Sequence, residues 1–256
     1  MWDPEQYLAF GDQRSRPFFD LVRRVDAVDP RRVVDLGCGP GQLTAALAAR
    51  WPDADVVGVD SSAEMVTAAA GVADPDGRPR FVLADLRRYH PDGPLDVVVS
   101  NATLQWVPDH LEVLPRLLAG VRRGGWLAFQ VPANFAERTH TAIAELRGQA
   151  PWRDRLAEVD VARPRSEEPA TYLEALLAQG CRADVWETTY LQVLQGPDAV
   201  VRWMTGTGLR PVLAALGEAA QDEFLAAYRS LVADAYPRRE AGTVLPYRRI
   251  FAVARR

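Results

Sequence analysis

The sequence predicts an α/β protein built on a doubly wound parallel sheet, and three features support this prediction. Apolar, strand-like runs alternate with helical patterns from Arg32 to Val131, which is the order of a sheet with helical crossovers. A glycine-rich turn, Gly37–Gly41, follows the first run, and glycine lets the backbone turn sharply and approach a ligand. The second run ends near Asp60, nineteen residues after Gly41, where a carboxylate can accept hydrogen bonds from ribose hydroxyls.

The periodicity of apolar residues predicts the individual elements. The N-terminal stretch to about Val28 is expected to form one or two helices packed ahead of the sheet. Strands are predicted at Arg32–Leu36, Asp55–Val59, Arg80–Ala84, Asp96–Ser100, Trp126–Val131, Ala183–Val193 and Leu245–Val253. Helices are predicted at Gly41–Arg50, Ala63–Ala70 and Leu111–Val121.

Two later segments, near 133–180 and 196–242, are too long for ordinary loops and are expected to contain helices. Ligands of open α/β sheets bind beyond the carboxyl ends of the strands. Helical inserts at that edge would cover the ligand. We therefore expect one domain over residues 1–256, with these inserts forming a substrate lid.

The spacing of the glycines indicates which class of cofactor the turn binds. A dinucleotide fingerprint, G-x-G-x-x-G, would need a third glycine at position 42, which is Gln42. The observed pattern, with Asp35 two residues before Gly37 and glycines at 39 and 41, resembles motif I of the class I S-adenosylmethionine (SAM) methyltransferases. A nicotinamide- or flavin-binding Rossmann domain is the alternative.

This resemblance implies a Rossmann-like methyltransferase sheet and a set of residues that bind SAM. The acidic residue before the glycines would help to hold the methionine ammonium, and the residue after the fourth strand would lie near the methionine and the transferring methyl group. Asp85 and Leu86 would lie against the adenine, although Asp85 also suits an N-cap, and Ser61 is expected to cap the following helix. The implied cofactor residues are Asp35, Gly37, Cys38, Gly39, Gly41, Asp60, Ser61, Asp85, Leu86 and Asn101.

The segment Asn101–Trp106 argues against one class of acceptor. Amino-group methyltransferases often carry N-P-P-Y at this place, whereas this chain reads Asn-Ala-Thr-Leu-Gln-Trp. Gln105 and Trp106 are predicted to line the site beside the sulfonium and to position the acceptor, with a core role for Trp106 as the alternative.

Several segments resemble a narrower family, the trans-aconitate 2-methyltransferases. Besides the cofactor motifs, they are Tyr7–Phe10, Arg14–Pro17, Trp186–Tyr190, Trp203, Thr207–Pro211 and Arg249–Arg256. The resemblance implies methyl transfer from SAM to one carboxylate of trans-aconitate, which gives a monomethyl ester. A carboxylic acid is already ionised at neutral pH, so the reaction needs no general base and no metal. Arginine forks and hydroxyls would hold the tricarboxylate, and the candidates are Tyr7, Arg14, Tyr190, Trp203, Arg210, Tyr247 and Arg249.

Composition excludes other functions. The net charge is −4, and all 30 basic residues are arginine, so a dedicated nucleic-acid binder is not expected. The sequence lacks a long apolar run and a cleavable leader pattern, and it has two cysteines that we expect to be reduced. We expect a cytoplasmic protein, a monomer or weak homo-oligomer, without a membrane partner. The three histidines lack metal-ligand spacing and are expected at the surface or at helix caps.

Two other functions stay open at this stage. One is methyl transfer to a different small metabolite, such as a quinone, a polyketide or another organic acid. The other is a non-enzymatic module that binds SAM and acts through partners.

Overall fold

The computed structural model describes residues 11–157 and 165–256, with side chains from residue 15 onward. The α-helices are α1 Gly11–Val22, α2 Gln42–Arg50, α3 Ala63–Ala70, α4 His110–Gly120, α5 Arg138–Arg147, α6 Trp152–Arg155, α7 Pro169–Leu177, α8 Ala199–Thr205, α9 Arg210–Ala214 and α10 Glu218–Ala233. The strands are β1 Arg32–Leu36, β2 Asp55–Asp60, β3 Arg80–Leu83, β4 Leu95–Asn101, β5 Val121–Pro132, β6 Arg182–Leu194, β7 Arg238–Arg239 and β8 Gly242–Arg255. A 3-10 turn spans Leu104–Trp106.

The sheet confirms the predicted fold class. Its strand order is β3-β2-β1-β4-β5-β8-β6, with β7 paired to β8. Strands β1 to β5 pair in parallel, and β8 runs antiparallel to β5. The chain order reverses between β1 and β4, which is the topological switch point where open α/β sheets bind ligands.

Apolar side chains explain why the central strands form. Val33, Val34 and Leu36 of β1 are each at most 2% exposed, so both faces of the strand are covered, as in parallel sheets. Helix α1 buries Phe18 and Leu21, so the predicted helical segment before the sheet is present within the described residues.

The described residues divide into two compact units. Unit 1 holds the described residues up to Pro132, with Ser166–Thr188 and Arg249–Arg256, and therefore contains β1 to β5 and α7. Unit 2 comprises the described residues of Ala133–Arg165 and Thr189–Arg248. Strands β6 and β8 contribute residues to both. No helix in 11–157 or 165–256 is both long and apolar enough to cross a membrane.

Within unit 2, helices α5 and α10 pack against each other. The hydroxyl of Tyr228 on α10 donates a 2.9 Å hydrogen bond to the carbonyl of Thr139 on α5. Trp152 of α6 meets Phe224 of α10 edge to face, with ring centroids 5.1 Å apart. These residues are buried, so the helices of this unit have their own apolar core.

His110 lies neither at the surface nor at the cap of its helix, whose N-cap is Asp109, so that expectation was wrong for this residue. It begins α4, is 3% exposed, and its Nε2 lies 2.8 Å from the hydroxyl of Tyr172 on α7. Tyr172 in turn accepts a hydrogen bond from the backbone N–H of Glu167. No local pattern indicates this pairing, because the two aromatic rings are 62 residues apart in the chain.

Candidate functional site

The glycine turn after β1 lies at the switch point. The N–H groups of Gly37 and Cys38 donate to the carbonyl of Val59 on β2, at 2.7 and 3.1 Å. Gly37, Gly39 and Gly41 have φ values of +76°, +55° and +90°, which residues other than glycine rarely adopt. The turn therefore depends on glycine at these three positions.

The loop after β4 packs on this turn. A Cβ built at Gly37 would lie 2.1 Å from Oγ1 of Thr103, and this hydroxyl is 3.3 Å from the Gly37 carbonyl. Ser100, at the end of β4, donates to the carbonyl of Leu36 at 3.0 Å. The two loops that flank the switch point are thus joined by polar contacts and close packing.

Asp60 connects the glycine turn to α3. Its Oδ2 accepts from the N–H of Gly39 and its Oδ1 from the N–H of Ser62, both at 2.9 Å. The N-cap of α3 is Ser62, whose hydroxyl accepts from the N–H of Met65, so the prediction that Ser61 caps this helix was wrong. The reason is that Asp60 holds the N–H of Ser62, which places the cap one residue later and leaves Ser61 exposed.

Asp35 is a buried acid. It is 1% exposed, and its Oδ2 accepts a 2.7 Å hydrogen bond from the hydroxyl of Thr44 on α2. Burial raises the pKa of Asp35 to about 6, the Thr44 hydrogen bond opposes this rise, and the charge of Asp60 adds to it. Within the described residues its Oδ1 has no hydrogen-bond partner. A buried carboxylate with an open oxygen suits a cationic ligand.

Asp85 lies in a turn after β3, not at the start of a helix. Its carboxylate accepts from the guanidinium of Arg87 at distances down to 2.5 Å and from the backbone N–H of Arg87 at 2.8 Å. Arg87 is the main reason that the pKa of Asp85 is lowered. The neighbouring Leu86 is 7% exposed, and Arg116 donates to its carbonyl.

A polar chain runs across the sheet from Asn101. Asn101 ends β4, and its Oδ1 accepts a 2.6 Å hydrogen bond from Nε2 of Gln130 on β5. Oε1 of Gln130 accepts a 3.0 Å hydrogen bond from Nη1 of Arg249 on β8. The structure therefore joins one predicted cofactor residue to one predicted substrate residue through a side chain that the sequence analysis had not selected.

Gln105 and Trp106 lie in the 3-10 turn after β4. Gln105 is 4% exposed and donates to the carbonyl of Ala102 at 2.6 Å, while its Oε1 has no hydrogen-bond partner in the part of the chain that the structure describes. Trp106 is half-buried, so it is not a fully enclosed core residue. Both side chains remain candidates for positioning the acceptor.

Most of the predicted substrate residues lie in unit 2. Trp203 and Tyr247 meet there, with ring centroids 5.7 Å apart, and Tyr190 is also buried. Arg210 begins α9 and is half-buried. Arg249 belongs to unit 1. Tyr7 lies outside the described residues, as does the side chain of Arg14.

The described residues contain no group of three or more His, Cys, Asp or Glu side chains that could hold a metal ion. Cys38 and Cys181 are both free thiols, as expected from their number. Burial raises the pKa of the Cys38 thiol, and the charges of Asp35 and Asp60 raise it further. Cys38 is therefore a buried, protonated part of the glycine turn rather than a reactive group.

Three site residues escaped the sequence analysis: Thr44, Thr103 and Gln130. A signal existed for Gln130, because it interrupts an apolar run near the end of a buried strand, and buried polar groups need partners. Thr103 follows a strand at the switch point, where site residues concentrate. Nothing in the local pattern marks Thr44, whose role depends on the position of Asp35.

Comparison with known proteins identifies the family. A family model described as a methyltransferase domain matches residues 33–125. The chain is 53% identical over 258 residues to trans-aconitate 2-methyltransferase of Streptomyces avermitilis, covering 99% of this chain and 96% of that protein. The chain belongs to the trans-aconitate 2-methyltransferase family. A Rhodococcus jostii member is 49% identical, with 99% of each chain covered.

Solved structures agree with the fold. The YcgJ protein of Bacillus subtilis superposes with a TM-score of 0.63, covering 94% of this chain and 99% of that one, at 14% sequence identity. At this identity the likeness supports the architecture of the chain and nothing finer.

Proposed function

We propose that this chain methylates trans-aconitate, using SAM as the methyl donor and releasing a monomethyl ester. The observation that carries the proposal is the 53% identity over almost the whole of both chains to a protein named trans-aconitate 2-methyltransferase. When bound, SAM supplies an electrophilic methyl group. Transfer of this group to the acceptor carboxylate would leave S-adenosylhomocysteine and would require no proton transfer, so the residues of the chain need to bind and orient the acceptor.

The residues around the glycine turn fit this cofactor. Asp35 offers an unpaired carboxylate oxygen, within the described residues, to a cationic group such as the methionine ammonium. A Cβ built at Gly39 would have no atom within 4 Å, so the backbone leaves space there for a ligand. Asp60 uses one lone pair of each oxygen for backbone N–H groups, and a carboxylate keeps further acceptor sites for ribose hydroxyls.

The adenine end of the site rests on Asp85 and Leu86. Asp85 is fixed by Arg87 and by its own turn, and the N–H of Leu86 would meet a ring nitrogen. Asn101, at the end of β4, would lie near the methionine. Cys38 and Ser61 complete the proposed cofactor set through their place in the turns after β1 and β2.

The catalytic task is positioning rather than proton transfer. The acceptor carboxylate is ionised at neutral pH, so the protein has to place its oxygen in line with the methyl–sulfur bond and exclude water. Such positioning is worth roughly 7–11 kcal/mol of the barrier. Gln105 and Trp106 are our candidates for this task, and we propose that the reaction needs no metal.

We propose that arginine forks bind the two carboxylates that do not react. Arg210 is the main candidate, with Arg249 and Arg14 as the others and with Tyr7, Tyr190, Trp203 and Tyr247 as walls or hydroxyl donors. The helices of the 133–180 and 196–242 segments would form a lid. Trypsin digestion tests the lid: cleavage after Arg202 and Arg229, which both lie in the 196–242 segment, should slow when S-adenosylhomocysteine and trans-aconitate are both present, and unchanged cleavage would rule it out.

We also infer a cytoplasmic enzyme that works as a monomer or weak homo-oligomer, without nucleic-acid or membrane partners. The supporting features are the net charge of −4 and the two free thiols. Size-exclusion chromatography with light scattering tests the oligomeric state, and a stable higher oligomer at micromolar concentration would contradict it.

The deciding experiment is transfer of labelled methyl groups from SAM to trans-aconitate, with cis-aconitate, isocitrate and citrate assayed alongside. Selective ester formation on trans-aconitate, unchanged after dialysis against EDTA, is the expected result. If SAM binds and no tricarboxylate is methylated, the acceptor assignment is wrong, and neutral metabolites such as quinones or polyketides become the acceptors to assay.

A further inference from the structure

Three polar side chains form a ladder across one face of the sheet in unit 1: Asn101, Gln130 and Arg249. Asn101 of β4 pairs in register with Gln130 of β5. Gln130 pairs in register with Phe251 of β8, and Arg249 is two residues from Phe251 on the same strand, so it lies on the same face. The ladder begins at the carboxyl end of β4, beside the switch point.

The chemistry of Arg249 fixes the direction of every hydrogen bond in this ladder. A guanidinium group only donates hydrogen bonds, so the atom of Gln130 that lies 3.0 Å from Nη1 has to be the amide oxygen. The amide nitrogen of Gln130 therefore faces Asn101 and donates to its Oδ1 at 2.6 Å. Asn101 has then used its oxygen, and its Nδ2 group is the end turned away from Gln130.

Burial makes this arrangement costly to change. Gln130 is fully buried and Arg249 is 7% exposed. Rotating the Gln130 amide by half a turn would place its NH2 group against the guanidinium and leave buried donors without acceptors, which is strongly unfavourable. The hydrogen bonds of the ladder therefore have a single favourable donor-to-acceptor direction. The guanidinium of Arg249 orients the Gln130 amide, and the Gln130 amide orients that of Asn101.

We propose that Gln130 is a positioning residue that fixes the side-chain amide of Asn101 so that it offers N–H donors to a carboxylate oxygen of a bound ligand. The inference rests on the proposed function, because two ligands of that reaction carry a carboxylate. One is the methionine part of the cofactor, and the other is the tricarboxylate acceptor. In either case Asn101 touches the ligand, Gln130 acts through Asn101, and Nη1 of Arg249 orients Gln130.

The variant Gln130→Glu tests whether Gln130 orients the side-chain amide of Asn101. The introduced carboxylate has the size of the amide and still accepts from Arg249, so the fold is preserved, but it has no N–H to donate to Asn101. Asn101 should then turn its NH2 group toward the new acceptor and present its oxygen to the ligand. Because a lost hydrogen bond to a charged group is worth about tenfold or more in affinity, binding of one carboxylate ligand should weaken by at least about tenfold.

A double-mutant cycle separates this effect from simple charge repulsion. Gln130→Glu is made alone and in the Asn101→Ala background, and the Kd for S-adenosylhomocysteine and the KM for trans-aconitate are measured for each. If Gln130 acts through Asn101, the penalty should fall to about twofold or less in the Asn101→Ala background. An undiminished penalty, or a change of less than about twofold for both ligands in the single variant, overturns the proposal.

Measuring both ligands shows which carboxylate Asn101 contacts, and it tests the role of Gln130 separately from the proposed function. A change confined to the Kd for S-adenosylhomocysteine assigns Asn101 to the methionine carboxylate, and a change confined to the KM assigns it to the acceptor. If trans-aconitate is not methylated at all, the proposed function fails, while the cofactor arm still tests Gln130.

A spectroscopic measurement reports directly on the Asn101 amide in the unaltered protein. The side-chain NH2 resonances of Asn101 are assigned by their loss in Asn101→Asp. They should shift when S-adenosylhomocysteine, or S-adenosylhomocysteine with trans-aconitate, is added, and they should lose this response in Gln130→Glu. If neither addition moves them, Asn101 does not donate to a ligand and the proposal is wrong.

Discussion

Thr103 occupies the space that a side chain at Gly37 would need. A Cβ at Gly37 would lie 2.1 Å from Oγ1 and 2.3 Å from Cγ2 of Thr103, and the φ of Gly37 is +76°. The loop after β4 is therefore packed directly on the glycine turn after β1. This contact fixes the distance between the two loops that border the switch point.

Gly37→Ala should consequently destabilise the protein for two reasons. The left-handed backbone costs about 1–2 kcal/mol for any residue with a Cβ, and the overlap with Thr103 adds roughly 1–3 kcal/mol. Gly77 is a matched control, because its φ is +74° and a Cβ there would have no atom within 4 Å. Urea unfolding of both variants measures the difference, and equal losses would mean that Thr103 moves away freely.

Gly39→Ala should weaken cofactor binding without a comparable loss of stability. Gly39 has a φ of +55° and open space where its Cβ would lie, so its unfolding cost should match that of Gly77→Ala, about 1–2 kcal/mol. The added methyl group would fill the space that we assign to the cofactor. The Kd for S-adenosylhomocysteine should rise by at least about tenfold, which is about 1.4 kcal/mol.

Titration calorimetry of Gly39→Ala and Gly77→Ala makes that comparison. The control should bind S-adenosylhomocysteine as the unaltered protein does. Normal affinity in Gly39→Ala would place the cofactor away from this part of the turn.

Cofactor affinity should fall as the pH drops through about 6. Burial raises the pKa of Asp35 to about 6, so this carboxylate takes up a proton in that range. A proton and the cationic group of the cofactor compete for the ionised carboxylate, so below this pKa binding has to displace a proton. The limiting slope is about tenfold in Kd per pH unit. The Kd for S-adenosylhomocysteine, measured from pH 8 to 5, should be constant above about pH 6 and approach this slope below it, whereas Asp35→Asn should bind weakly and without the slope. A slope that persists in Asp35→Asn would assign the titration to another group.

Local spacing explains why the strands, and the place of two acids beside the glycine turn, could be predicted. Buried parallel strands need continuous apolar runs, and Asp35 and Asp60 stand at fixed distances from the glycines. The helix cap was predicted at Ser61, one residue before the observed cap at Ser62, because its position depends on which backbone N–H donates to Asp60. That choice is set by side-chain geometry and not by composition.

Partners that are distant in sequence explain what could not be predicted. Gln130 and Arg249 are 119 residues apart, and only the antiparallel pairing of β5 with β8 brings them together. His110 was expected at the surface or at a helix cap, and its buried contact depends on Tyr172, which belongs to a helix 62 residues later. No periodicity within one segment carries this information.

Arg210→Ala should raise the KM for trans-aconitate and leave the cofactor unaffected. Arg210 is half-buried at the start of α9, and loss of charged hydrogen bonds to a carboxylate costs about 1.5–3 kcal/mol, or roughly 10- to 150-fold in KM. Arg153→Ala is the control, because that side chain is 65% exposed in the same unit. Steady-state kinetics with S-adenosylhomocysteine titrations test this. Equal weakening of both ligands would give Arg210 a structural role instead.

Stability should decline with falling pH in a way that depends on His140. Burial lowers the pKa of His140 to about 4, and a hydrogen bond to the backbone of Asn134 opposes the shift. The unfolded chain takes up this proton at a pKa near 6.5, so the folded state loses stability as the pH falls from about 6.5 to about 4. At about 1.4 kcal/mol per pH unit, the loss from this residue approaches roughly 3 kcal/mol.

Urea unfolding of His140→Gln between pH 7 and 4.5 isolates this contribution. The difference in unfolding free energy between the variant and the unaltered protein should shift in favour of the variant as the pH falls, because glutamine does not titrate. Other titrating groups, including Asp35, cancel in that difference. His90→Gln, the same replacement at an exposed position, is the control for the change of residue type. A difference that is constant with pH would mean that water reaches the His140 ring and holds its pKa near that of the unfolded chain.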